Sequence, residues 1–481
     1  MNVYLAGLLA YSALLIGVGA VASRRVKAAP DFLVASRRLG PGLLFATFLA
    51  ANLGAGSTVG ATGLGYRLGM SAWWWVGSAA IGTFVLAMLP GPRLWRIARE
   101  HSLHTLGDFL EWRYNKAVKA VIALLLCLGT LALLAAQLIA VSWILNVVMG
   151  LPKWAGCAAG AVVAIAYCSA GGLIANAFVN SVELAVTLSG FALAVPFALR
   201  GVGGWAGLVR AVSAPVGGSA ALFSFTGAGL KQILAYLAIL VPSFIVSPGL
   251  AQKLYGARDE GAVRLGVGLN ALGQAAFAFI PAVLGLCALA AYPRLGNPEL
   301  ALPTVMINLL PKWLGIWALA SIFSAELSAI GAILFMLSTS MAVDLYKTFL
   351  DPRISDRGLL TLNRATVAIA GVLGMLLAVS LPSVIAAVTI FYGLLAVSLF
   401  APVMLGLYWR GATSGAALAG IVSAVGADLL ARRFAGGGRL GVFSPELIGI
   451  GAAFAVMALA GRMKQREGAR HSFPSGKGEI I

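Results

Sequence analysis

Apolar and polar positions fall along this chain in long blocks, not in the periods of a water-soluble helix or strand. Thirteen apolar stretches lie near 4–22, 41–63, 70–92, 116–148, 154–170, 174–198, 231–250, 262–291, 312–342, 359–380, 383–408, 411–431 and 443–461, with short polar connections between them. About 20 apolar residues cross a bilayer as a helix, so the pattern predicts an all-α polytopic membrane protein of about 13 spans. Two blocks are not clean helices. The second carries Leu53-Gly54-Ala55-Gly56-Ser57 at mid-span, and the seventh carries Pro242-Ser243 and Ser247-Pro248-Gly249. Irregular backbone at that depth persists only where it is buried in protein or lines a cavity, because lipid offers no hydrogen-bond partner.

The spacing of the blocks suggests a repeat. Residues 41–198 hold five spans and 231–408 hold five more, and an interrupted span opens each set. An odd number of crossings brings the second set into the membrane from the other side, which is the arithmetic of two inverted five-helix repeats. The expected divisions are 1–40 (first span and cytoplasmic loop), 41–198 and 231–408 (the repeats), 199–230 (an external loop), 409–461 (two further spans) and 462–481 (a polar cytoplasmic tail). Paired broken spans are the best sequence pointer to a transporter's midplane solute site.

Composition agrees, with 60% apolar residues, 10% charged residues and a mean hydropathy of +0.95 over 481 residues. The first span is not expected to be a signal peptide. Its basic cluster (Arg24, Arg25, Lys27) follows the apolar run, which predicts the N-terminus outside. With 13 spans, 24 of the 34 Lys and Arg then lie inside, consistent with a cytoplasmic C-terminus. Arg432, Arg433 and Arg439 are external exceptions. The net charge of +18 is accounted for by a basic face against anionic lipid, so no nucleic-acid partner is expected, and no obligate protein partner is implied. Cys127, Cys157, Cys168 and Cys287 lack metal spacing and read as small buried hydrophobes. The three histidines form no cluster, and no phosphate loop or nucleotide-binding domain is present. No enzyme chemistry and no organic cofactor are expected, leaving an ion gradient as the energy source.

Several stretches in order carry a family resemblance: PDFLVASRRLGPGLLFATFLAANLGAGSTVGATGLGYRLG (30–69), HTLGDFLEWRYN (104–115), SAGGLIANAFVNSVE (169–183), SPGLAQKLYGARDEGAVRLG (247–266) and SIFSAELSAIGAILFMLSTSMAVDLYK (321–347). The chain resembles the sodium:solute symporters, transporters of sugars, proline, monocarboxylates and pantothenate built on the five-plus-five fold of the bacterial leucine transporter. The resemblance implies an integral protein of the bacterial inner membrane that moves a small organic solute with a coupling ion. It also implies a sodium between spans 2 and 9, at the carbonyls of Ala50 and Leu53 and at Ala325, Ser328 and Ala329. The last three are i, i+3 and i+4, one face of a helix. The usual second hydroxyl is absent at Ala329, so one oxygen is missing from the cage.

Of the 16 acidic residues, Glu183 and Glu326 fall within spans, with Asp428 a third candidate, and the first two stand out. Glu326 is next to the ion-site face, and Glu183 belongs to a stripe, Asn176, Asn180, Glu183 and Thr187, on an otherwise apolar span. The stripe is either a coupling site or a seam of hydrogen bonds between helices. A carboxylate in mid-bilayer costs roughly 2.5–3.5 kcal/mol on insertion scales, so both want a reason. Coupling by sodium and coupling by a proton on Glu326 or Glu183 both remain open, with an uncoupled facilitator and a non-transporting sensor as rivals. The expected solute pocket comprises Gly54, Ala55, Gly56, Ser57, Gln137, Ser142, Ser243, Ser247, Phe391 and Tyr392. Free N–H groups at the broken helix suit a carboxylate or amino acid better than a sugar. Trp73-Trp74-Trp75 is expected in an interfacial belt, and the segment from Lys253 to Glu260 as a solvated loop.

Overall fold

The computed structural model describes residues 3–23, 37, 39–169, 173–216, 220–351, 353–434 and 444–471. Among them all regular structure is helical, apart from one isolated parallel bridge between Leu39 and Ala257. In chain order the helices are α1 (Val3–Ser23), α2 (Pro41–Asn52), α3 (Val59–Leu68), α4 (Trp73–Met88), α5 (Pro90–Glu100), α6 (Leu106–Arg113), α7 (Lys116–Met149), α8 (Lys153–Ser169), α9 (Leu173–Gly201), α10 (Gly204–Val216) and α11 (Ala220–Phe223). They continue as α12 (Leu230–Ile245), α13 (Pro248–Tyr255), α14 (Glu260–Phe277), α15 (Phe279–Ala291), α16 (Ala301–Asn308), α17 (Lys312–Thr339), α18 (Asp356–Ser380), α19 (Val384–Tyr408), α20 (Ser414–Phe434) and α21 (Pro445–His471). Ten helical stretches among the described residues are long and apolar enough to span a membrane, and three shorter apolar helices accompany them.

Both expected interruptions are present. Leu53–Thr58 separates α2 from α3, and Val246–Ser247 separates α12 from α13, whose first residue is Pro248. Proline fits there because the first turn of a helix has no partner for its N–H. The stretch 199–230 holds the helix α10, and the polar tail is helical as far as His471, carried on by the last span; residues 472–481 lie outside the described part, as does 24–36.

The helices sort into two packed groups. α2/α3, α4, α12 and α14 pack on one another, and α7, α8, α17 and α18 form the other group. Between them α2 packs on α17, which brings the first break against the helix bearing Glu326. α17 is buried along most of its length and runs into a π-helical segment, Ser340–Leu350. Ile369, Val372 and Leu376 on α18 are exposed in a row, a face suited to lipid.

At one end of the fold, α6 carries a capping box: the Asp108 N–H donates to Thr105 Oγ1 (3.0 Å), and Asp108 Oδ2 accepts from the Thr105 N–H (3.1 Å). The buried Lys119 ammonium then pairs with Asp108 (3.0 Å) and Glu111 (2.9 Å). Burial alone would raise the Asp108 carboxyl, but Lys119 and the His104 and Thr105 N–H groups outweigh it and hold the carboxyl below its ordinary value. An acid lowered in this way stabilises the fold above the usual carboxylate range and loses that contribution as pH falls through the lowered value. Asp108→Asn should therefore lower stability by roughly 1–3 kcal/mol at neutral pH, and the gap from the unmodified protein should close below about pH 4. Thermal unfolding in detergent across that range checks this; a gap of constant size would contradict it.

Candidate functional site

The first break is stabilised by groups from three other helices. α2 closes with the Leu53 N–H on Leu49 O (3.0 Å), and the chain then turns about the Gly54 carbonyl, which accepts from the Ser57 and Thr58 N–H groups (2.9 and 3.0 Å). The Ala55 N–H donates to Gln137 Oε1 of α7 (2.8 Å). The Gly56 carbonyl accepts from the Trp75 indole of α4 (2.9 Å). Thr58 Oγ1 lies 2.7 Å from Glu326 Oε1 of α17 and 3.0 Å from Gly54 O. Orphaned backbone groups inside a membrane protein are thus met one by one by side chains.

Glu326 is fully buried. Its second oxygen, Oε2, has no hydrogen-bond partner, and the Ala55 N–H beside the carboxyl is engaged by Gln137. The Thr58 hydroxyl has a single proton to give, yet two acceptors lie within reach. If Glu326 is ionised, the Thr58 hydroxyl donates its hydrogen bond to Glu326 Oε1. If Glu326 is protonated, it donates to Thr58 Oγ1 and Thr58 donates to Gly54 O.

The positions expected to hold sodium, Ala50, Leu53, Ala325, Ser328 and Ala329, are all buried. Ala329 touches the break: a Cβ added at Gly54 would lie 2.8 Å from the Ala329 Cβ and 2.8 Å from Gln137 Oε1. The small residues on both sides allow the two backbones this approach.

Glu183 lies elsewhere. It is buried on α9, where its carbonyl accepts from Ser324 Oγ (3.1 Å), and Ser324 Oγ accepts from the Tyr11 hydroxyl (2.6 Å). Thr187 Oγ1 donates to Ser321 O (3.2 Å), and Ser321 Oγ donates to Val186 O (2.8 Å). This part of the stripe is a seam between α9 and α17. The side chains of Asn176 and Asn180 lie outside the described residues.

A cavity of about 120 Å³ opens beside the break, and its lining includes Gly54, Gly56, Ser57, Gln137, Ser247, Phe391 and Tyr392 from the expected set. Ala55, Ser142 and Ser243 are not part of it. Ser142 Oγ donates to Ile139 O, and Ser243 Oγ is engaged by Ile239 O and Tyr392 O behind the wall. Trp75 belongs to the lining and not to an interfacial belt, since it is buried with its indole on Gly56. Lys253 needs the same correction: it is no loop residue but sits in α13, lines the cavity and donates to Thr47 O of α2 (2.8 Å). Asn52, Gln252 and Gln274 also line it and were missed; amides inside apolar spans were the available signal.

The cavity extends from the break toward α2 and α13, and none of its lining comes from α3. On the α3 side, the loop before α16 is fixed by Glu299, whose carboxylate accepts from the Trp143 indole (3.0 Å) and the Val384 N–H at the start of α19 (2.7 Å). Burial pushes this carboxyl above its ordinary value against the pull of those donors.

Two broken helices and a cavity between two helix groups define a secondary transporter of the leucine-transporter-like kind. The chain belongs to the sodium:solute symporter family, whose model matches residues 32–424. It is 25% identical to a sodium/glucose cotransporter of Vibrio parahaemolyticus, covering 86% of this chain and 82% of that protein. It is 26% identical to the sodium/pantothenate symporter of Escherichia coli K12, covering 88% and 90%, and 23% identical to the osmoregulated proline transporter OpuE of Bacillus subtilis, covering 84% of each. Its fold matches that of a Na+-coupled sialic acid symporter with a TM-score of 0.82 at 18% identity, over 96% of this chain and 98% of the other. The family and these relatives are membrane transporters, not enzymes.

Crowding at the break yields a prediction. Gly54→Ala should destabilise the protein by about 1–3 kcal/mol, as overpacking does, and Ala329→Gly in the same chain should recover part of the loss. Thermal unfolding of the two single variants and the double variant measures the coupling, and strictly additive losses would show that the contact is unimportant.

Proposed function

We propose that this protein is an ion-coupled symporter of a small organic solute, working by alternating access between the two helix groups. The observation that carries the reading is the break at Leu53–Thr58, bordered on one side by the cavity and on the other by the buried face of α17. The relatives' names each join an ion or an osmotic role to a small organic solute, which supports the same class. In this reading 41–198 and 231–408 are the two inverted repeats, the N-terminus is outside and the C-terminus cytoplasmic. The cavity then reaches toward the cytoplasm, and Glu299 closes the external end.

Sodium is the favoured coupling ion, held between α2 and α17 by the carbonyls of Ala50, Leu53 and Ala325 and the hydroxyl of Ser328. Ala329 supplies no oxygen, which weakens the site but does not abolish it. Inward movement of one positive charge gains roughly 2.3 kcal/mol per 100 mV. A proton on Glu326 is the second reading, favoured by the shared Thr58 proton: loading Glu326 would turn the Thr58 hydroxyl onto the break itself. Glu183 is the weaker proton carrier, because the seam it belongs to joins α9 to α17 and α1 and is not part of the cavity lining.

Sodium should raise the melting temperature of the purified protein saturably over a choline control, since an ion bound only by the folded state stabilises it by mass action. Ser328→Ala should weaken that response. Ala329→Ser, which adds the missing oxygen, should strengthen it by up to about tenfold in apparent affinity, ~1.4 kcal/mol. If sodium has no effect, and a pH gradient drives accumulation that Glu326→Gln abolishes, the proton reading replaces it. Uptake that never exceeds equilibration under either gradient would leave an uncoupled facilitator.

A further inference from the structure

Four polar side chains from three helices line the cavity with donors that lack acceptors. Asn52 ends α2, Gln252 and Lys253 lie on α13, and Gln274 lies on α14; all four line the cavity. Asn52 Nδ2, Gln252 Nε2 and Gln274 Nε2 make no hydrogen bond, although Gln252 and Gln274 are only 7% and 1% exposed. Lys253 Nζ donates once, to Thr47 O, and has no carboxylate within ion-pair reach among the described residues. The lining as a whole holds one cation and no acidic side chain. By contrast, most N–H groups of the break are engaged internally or by Gln137.

Buried amides left without partners are destabilising, and an ammonium out of water needs a counter-charge. A carboxylate answers both needs, being acceptor-only with two oxygens and about four lone-pair sites. A sugar hydroxyl brings a proton for every acceptor, and the only acceptors among these four side chains are the three amide oxygens, Lys253 offering none. An amino acid would bring an ammonium that no carboxylate in the lining pairs. The rest of the wall is apolar and aromatic, with Trp75, Phe244, Met336 and Phe391. The cavity volume of about 120 Å³ is a little below the roughly 150 Å³ that takes a benzene-sized molecule.

We propose that the solute is a small monocarboxylate, its carboxylate held by Lys253, Gln252, Asn52 and Gln274 and its apolar body lying against the aromatic wall. The proposal rests on the symporter reading of the same cavity. It moves the anion-binding role from the helix break to the end of the cavity between α2, α13 and α14.

The test compares butyrate with its neutral isostere butyramide, and with proline and glucose, by thermal unfolding of the purified full-length protein in saturating sodium. Butyrate should stabilise, and butyramide, proline and glucose should not. Lys253→Gln should weaken the apparent butyrate affinity at least about tenfold, and Lys253→Arg should retain it. If Lys253→Gln does not fold, Gln274→Leu should show a weakening of several-fold. Equal responses to butyrate and butyramide, stabilisation by proline or glucose in place of butyrate, or an unchanged butyrate affinity in these variants would overturn the assignment. So would the absence of any response to butyrate, lactate and benzoate in a protein that sodium still stabilises, which would leave the symporter reading standing. Loss of the sodium response as well would count against that reading itself.

Discussion

A helix that stops inside a membrane must find partners for the backbone groups it sets free, and this fold is organised around that demand. Gln137, Trp75 and Thr58 with Glu326 come from α7, α4 and, through α17, the opposite helix group. Each meets one exposed group, so the break is held from several sides at once. The cavity exists because these contacts keep the two half-helices apart in a fixed geometry. Its apolar walls and unpartnered amides are secondary features added to that frame.

α17 is the element on which these roles converge. One face gives Ser321 and Ser324 to the seam with α9, and another, with Glu326 and Ala329 three residues apart, meets Thr58 and Gly54 at the break. A helix held on two faces resists rotation about its axis. An ion or proton that alters one face is therefore felt at the break and at the scaffold together. The second broken helix joins the same network differently, through the Leu39–Ala257 bridge and through Lys253 on Thr47, which tie α13 to α2.

Much of this was legible in the chain. Gly54 and Gly56, and Pro248 with Gly249, marked the two breaks because only such residues tolerate them in long apolar runs. Glu326 stood out because a carboxylate in a span requires a partner, although nothing in the sequence said that the partner is Thr58. Gln137 was legible for the same reason, whereas Gln252 and Gln274 were overlooked for want of a visible motif. Lys253 was misread because a cation following an apolar stretch looks like a membrane-edge anchor, and only the eight-residue length of α13 places it against the cavity. Trp75 was misread because three adjacent tryptophans suggest a belt, while helical spacing sends one of them inward. The distinction depends on the rotation of α4, which local sequence does not encode.

In the proposed symport cycle Glu299 would give acid a further point of entry. Its carboxylate fastens the loop before α16 to Trp143 and to the start of α19, and burial raises its affinity for a proton. Protonation there would loosen both attachments and, in the proposed cycle, change how fast this end rearranges, with no proton carried across. In the proposed topology, which puts Glu299 at the external end, the speed of transport would then vary with external acidity even in a purely sodium-driven protein. In this fold a pH–rate curve reports a kinetic gate as well as a thermodynamic driving force, and only the final concentration ratio isolates the latter.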